Sequence, residues 1–204
     1  LALCGALAGM TGCVTTVERT DVTFDDHPSG AAKEIREVAG ETWLFAQLAS
    51  NSYGTQDSLF KTPDWVRPVT EVSKGSAGFQ SQVFLVEPTG KPAYLVIAYT
   101  GTNSVGDIFT GTLNPFQPQQ RQGLKLLRDM QEKNPGMPIV VVGHSLGGAI
   151  AKYVATREDG VYAHVFNPSG IATSGPYRDP EKVNAVSQYG EVLKALRFIT
   201  PDGS

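Results

Sequence analysis

The chain has 204 residues, 41% hydrophobic and 18% charged, which is enough apolar material for one substantial core and the charge content of an ordinary folded domain. A formal net charge of −3 offers no basic surface to phosphate backbones, and no stretch interleaves clustered Lys/Arg with aromatics, which argues against nucleic acid as a partner. Beyond the N-terminal segment, no apolar run reaches the roughly 18–20 residues needed to cross a bilayer.

The N-terminal segment LALCGALAGMTGC is apolar, of signal-peptide length, and ends in small residues, with neither Met nor a cationic segment ahead of Leu1. The chain is therefore expected to begin inside a signal peptide. Met10-Thr11-Gly12-Cys13 resembles a bacterial lipobox. The resemblance implies that residues 1–12 are removed and that Cys13 becomes a lipid-modified N-terminus. Residues 13–30 would then tether the domain to a membrane of the bacterial cell envelope, the outer membrane on its periplasmic or surface side. The competing expectation is the first apolar helix of a core, but Val14 to Pro28 is polar and unpatterned, as a tether is. Cys4 and Cys13 are the two cysteines, so cleavage would leave Cys13 alone and allow no disulfide within the chain.

From Ala31 the pattern turns helical, with Ile35, Val38, Ala39, Thr42, Phe45, Ala46 and Ala49 recurring at three- and four-residue steps until Asn51 and Gly54. Thr55 to Thr70, with Pro63 and Pro68, reads as loop, and Trp65 within it as a core plug. Phe79 to Val86 and Ala93 to Ala98 are β-rich runs joined by a turn, a hairpin signal. Thr100 to Pro118 is irregular, and its part from Val105 to Phe116 is either a lid or an ordinary loop. Gln119 to Asn134 is an amphipathic helix with Leu124, Leu127 and Met130 on one face, stopped by Asn134-Pro135-Gly136. Then come a buried strand (Ile139 to Val142), a helix (Leu146 to Thr156), a strand (Val161 to Phe166), a helix (Pro180 to Gln188) and a strand (Leu196 to Thr200). This alternation predicts one α/β domain from Ala31 to Ser204, its mostly parallel sheet covered by helices on both faces.

The chemistry concentrates at Gly143-His144-Ser145-Leu146-Gly147. A G-x-S-x-G pattern is weak alone, but here it follows four apolar β-formers and opens a small-residue helix, the setting of a nucleophile elbow. Ser145 at the helix N-terminus would feel the positive end of the dipole, which favours alkoxide-like charge. A glycine-rich phosphate turn or a structural bend is the other reading. An acyl-transfer nucleophile needs oxyanion donors. The Leu146 amide is one candidate. Thr102 is the other, in Tyr99-Thr100-Gly101-Thr102-Asn103 at the end of an earlier strand, although that stretch also reads as plain turn chemistry.

AYTGTNSVGDIF together with PIVVVGHSLGGAIAKYVA resembles the class 3 lipases, which are α/β-hydrolases. FAQLASNSYG before the first strands, the Gln-rich start of the helix ahead of the elbow, and FNPSG after the following strand extend the likeness from about Ala31 to the end. The resemblance implies an α/β-hydrolase fold, with Ser145 as nucleophile and Thr102 as oxyanion residue. Thr100 departs from the family, which usually has Arg there, and the departure bears on the electrostatics beside the turn.

In this fold the acid and then the histidine follow the serine. Asp202, after the strand Leu196 to Thr200, is the expected acid, with Asp202-Gly203 as a simple turn the alternative reading and Asp179 a weaker candidate. None of His27, His144 and His164 follows Asp202, and His164, mid-strand, is expected to be a packed, hydrogen-bonded core histidine rather than the base. The catalytic histidine is accordingly expected beyond Ser204, in a C-terminal part that the chain lacks. The expected activity is cleavage of carboxylic esters of lipids through an acyl-enzyme, with no metal or organic cofactor implied. Two rivals are an acyltransferase or thioesterase on the same machinery, and a catalytically silent envelope lipoprotein.

Overall fold

The computed structural model describes residues 33–54, 60–70, 73–101, 116–169 and 180–187. In chain order these form α1 (Lys33–Asn51), β1 (Val66–Pro68), β2 (Ser73–Lys74), a 3-10 turn (Ser76–Gly78), β3 (Gln80–Val86), β4 (Tyr94–Tyr99), α2 (Phe116–Lys133), β5 (Ile139–His144), α3 (Leu146–Ala155), β6 (Tyr162–Phe166), a second 3-10 turn (Pro180–Lys182) and β7 (Val183–Val186). The strands make one mixed sheet in the order β1-β3-β4-β5-β6-β7, with β2 also paired to β3. β1, β2 and β4 run antiparallel to β3. The pairs β4/β5, β5/β6 and β6/β7 are parallel.

Alternation along β4 shows why the sheet is sandwiched. Leu95, Ile97 and Tyr99 face one core with Leu127 of α2 and Ile150 and Val154 of α3. Val96 and Ala98 face the other, with Leu44, Leu48 and Ala49 of α1. Both faces of a parallel strand must be apolar when helices cover both, which is what the β-branched run of β5 supplies. With the elbow described below, this is the α/β-hydrolase fold.

Several expectations shift. The buried stripe of α1 runs through Leu44, Leu48 and Ala49, while Ile35 stays 37% exposed; the helix makes its sheet contacts, to β4, β5 and β6, from its later turns. The expected loop from Thr55 to Thr70 contains the short edge strand β1, and Trp65 beside it packs on the α1-side core and meets Trp43 edge-on. The largest correction concerns Pro180 to Gln188, expected as helix. Only Pro180–Lys182 turns, and Val183–Val186 is a strand parallel to β6, with Val183 and Ala185 packed on the core beneath α3. The expected strand Leu196 to Thr200, residues 1–30 and the stretch from Val105 up to α2 lie outside the described residues.

Candidate active site

Parallel register sets what meets at the end of the sheet. Tyr99 of β4 pairs with Gly143 of β5, and His144 pairs with Phe166 of β6. The turn Thr100-Gly101 therefore leaves β4 beside the point where Ser145 leaves β5. Ser145 adopts φ 55 and ψ −122, a region a non-glycine residue occupies only at a cost of about 1–3 kcal/mol. Its neighbours hold it there. Ser145 N–H donates to the Phe166 carbonyl at 3.0 Å, and the Ser145 carbonyl accepts from Ala149 N–H at 3.1 Å and Ser169 N–H at 3.0 Å.

The glycines on either side are required by space. A Cβ on Gly143 would overlap the Gly147 carbonyl, and one on Gly147 would overlap the Tyr99 carbonyl oxygen. This is how the helix start comes to sit directly against the end of β4. Leu146, the first residue of α3, is buried, and its N–H belongs to the first-turn set that a helix leaves without an intrahelical acceptor. The side chain of Ser145 makes no capping bond to the helix, which leaves its hydroxyl uncommitted to α3. Ser145 and Leu146 thus stand as N-cap and first residue of α3. Thr102, Asp179, Asp202, His27 and Cys13 lie outside the described residues. Gly101, which precedes Thr102, is described: a Cβ built on it would come 3.3 Å from Ser145 Cβ and 2.7 Å from the His144 carbonyl.

The match to a known family decides what kind of site this is: a Tle-like phospholipase domain profile covers residues 46–197, more than half of the chain. The chain belongs to this phospholipase-like family. No curated protein matches it. Among solved structures, a lipase from Rhizopus microsporus var. chinensis matches with a TM-score of 0.48 and 14% identity, over 65% of this chain and 58% of that one. Lipase II from Rhizopus niveus matches with a TM-score of 0.48 and 16% identity over 66% and 63%, and Rhizomucor miehei lipase with its propeptide with 0.47 and 15% over 65% and 53%. The chain thus spans less than two thirds of the length of these lipases.

Within this Tle-like domain, Thr100 presents a buried hydroxyl. Its Oγ1 donates to the Ser52 carbonyl at 2.8 Å, and Gln80 Nε2 donates to the Ser52 carbonyl at 2.9 Å and the Tyr53 carbonyl at 3.2 Å. Both carbonyls belong to the turn that follows α1. The network moors the helix end to β3 and β4.

His144 points to the α1 side, where its Nδ1 lies 3.2 Å from the Tyr53 hydroxyl. With Tyr53, Ala46, Ala49, Ser50 and Phe166 it lines an open cavity of about 320 Å³, whose walls do not include Ser145. His164 is paired in register with Val142, three residues before Ser145, or about 10 Å along the strand. It stacks on Phe45 with ring centroids 4.0 Å apart, and burial pushes its pKa down to about 4. Its Nδ1 is buried with no hydrogen-bond partner among the described residues, so packing, not the hydrogen bonding expected of a core histidine, holds it.

Sequence reasoning passed over Tyr53 and the Ser52-Gln80-Thr100 network. The stretch expected as a helix supplies a strand instead. The strand after β6 is β7, and the first carboxylate downstream of β7 in the chain is Glu191. By the same rule that pointed to Asp202, Glu191 becomes a candidate acid.

Proposed function

We propose that this Tle-like domain hydrolyses the carboxylic ester bonds of lipids, phospholipids foremost, through an acyl-enzyme on Ser145. The observation that carries the reading is the strained elbow, with Ser145 held at positive φ between two glycines that no larger residue could replace. Family membership supports the phospholipid substrate class.

In this reading a base removes the Ser145 hydroxyl proton as Oγ bonds to the substrate carbonyl carbon. The Leu146 amide and Thr102 hold the oxyanion. Collapse breaks the bond to the alcohol, which takes the proton back from the base. Water, deprotonated by the same base, then displaces the acyl group. The base is a histidine, oriented by Glu191 or Asp202. Cys13, lipidated, anchors the domain to a membrane of the bacterial envelope.

The test is made on the full-length protein. A fluorophosphonate probe should label it, and Ser145→Ala should abolish both labelling and phospholipid or ester cleavage. Labelling that survives in the Ala variant would remove Ser145 from the mechanism. Glu191→Gln and Asp202→Asn distinguish the acids: the true one lowers kcat by about three orders of magnitude or more, and the other leaves it nearly unchanged.

A further inference from the structure

Tyr53, two residues past the end of α1, joins three elements at one point. Its phenolic oxygen lies 3.2 Å from His144 Nδ1 at the end of β5 and accepts the backbone N–H of Gly101 in the turn leaving β4. A Cβ built on Gly101 would overlap that oxygen while coming close to the His144 carbonyl and Ser145 Cβ, so hydroxyl, turn and elbow converge.

The direction of the bonds follows from the donors. Gly101 N–H can only donate, so the Tyr53 oxygen accepts from it and its own proton is available to His144 Nδ1. In that arrangement a neutral His144 carries its ring proton on Nε2. The result is a chain from amide to hydroxyl to imidazole, in which each bond polarises the next. Its anchor is firm, because Gln80 donates to the Tyr53 carbonyl, and Gln80 and Thr100 both donate to the Ser52 carbonyl one residue earlier.

We propose that Tyr53 is a positioning residue that, through its hydroxyl, locks the turn Thr100-Gly101 against the Ser145 elbow. Its effect on rate rests on the serine-hydrolase reading above; its effect on the turn does not. Oxyanion donors act only within a few tenths of an ångström of their best place, and a misplacement near 1 Å costs on the order of a hundredfold in rate. A turn freed from Tyr53 would relax by part of that distance.

The experiment uses the full-length protein and Tyr53→Phe, which keeps the ring and removes the hydroxyl. Amide hydrogen exchange at Gly101 should quicken tenfold or more, while the amides of Ile139 to Val142 in β5 stay as protected as before. On a soluble p-nitrophenyl ester, kcat should fall about tenfold with KM within twofold. His144→Asn, whose side-chain amide offers an acceptor near the place of Nδ1, should keep more of the rate than His144→Leu. Unchanged exchange at Gly101, exchange that quickens equally through β5, or an unchanged kcat in an active enzyme would each overturn the proposal. Faster exchange at Gly101 in a protein that neither takes the fluorophosphonate nor cleaves ester would uphold the lock and defeat the hydrolase reading instead.

Discussion

His144 and His164 lie on neighbouring strands, one residue type in two environments. His144 ends β5 and meets the Tyr53 hydroxyl; His164 sits within β6, flat against Phe45. Burial without a compensating charge disfavours the imidazolium of His164, whose pKa falls from 6.5 to about 4. The unfolded chain therefore binds the extra proton between pH 6.5 and 4, and the folded one does not. The contribution of His164 to stability is full above about pH 6.5 and is lost as pH falls toward 4. Across that window the loss should be on the order of 2 kcal/mol for a partly buried group. Denaturant melts of His164→Gln should show a flatter stability profile between pH 4 and 6.5 than the wild type; parallel profiles would show that His164 titrates normally. That a mid-strand histidine packs was legible from its place among β-formers. The Tyr53–His144 pair was not, because its partners are 91 positions apart and neither carries a local signal.

At the scale of elements, two glycines in helices should respond in opposite directions to the same change. Gly147, the second residue of α3, has the Tyr99 carbonyl where its Cβ would be, and backbone cannot swing aside as a side chain can. Gly147→Ala should cost about 3 kcal/mol or more and displace the elbow. Gly40, exposed in α1, has nothing within 4 Å of the place a methyl group would take. Gly40→Ala should stabilise by about 0.5–1 kcal/mol through helix propensity. Thermal melts of the two variants check both signs. The long elements were readable because their periodicity is long: Leu127 and Met130 of α2 are buried as their spacing implied, and β5 and α3 fall within about two residues of expectation. β7 was misread for a physical reason. Pro180, Val183 and Val186 stand three apart, Pro180 suits a first helical turn, and a four-residue strand offers too few alternations to outweigh that pattern. β1 is shorter still and ends on proline.

At the scale of the whole molecule, the two cores and the single sheet make one cooperative body, to which the proposed lipid anchor adds a location. No helix among the described residues is long and apolar enough to cross a membrane; the attachment proposed in this reading is through Cys13. A full-length precursor should be cleaved before Cys13 and sediment with membranes, and Cys13→Ser should leave it unprocessed or released. A Ser variant that still fractionates as mature membrane-bound protein would dispose of the anchor. The mooring of the site itself has a further consequence. The elbow is tied from behind by the Phe166 carbonyl and the Ser169 amide, both later in the chain, whereas the turn at Gly101 is tied by Tyr53, and the end of α1 by Gln80 and Thr100, all earlier. Among the described residues, these ties come from either side of the stretch between Thr102 and α2. Lengthening a loop twofold costs only about 0.6 kcal/mol in closure entropy. Relatives can therefore exchange that stretch for others of different size and diverge in what they recognise, while inheriting the same nucleophile unaltered.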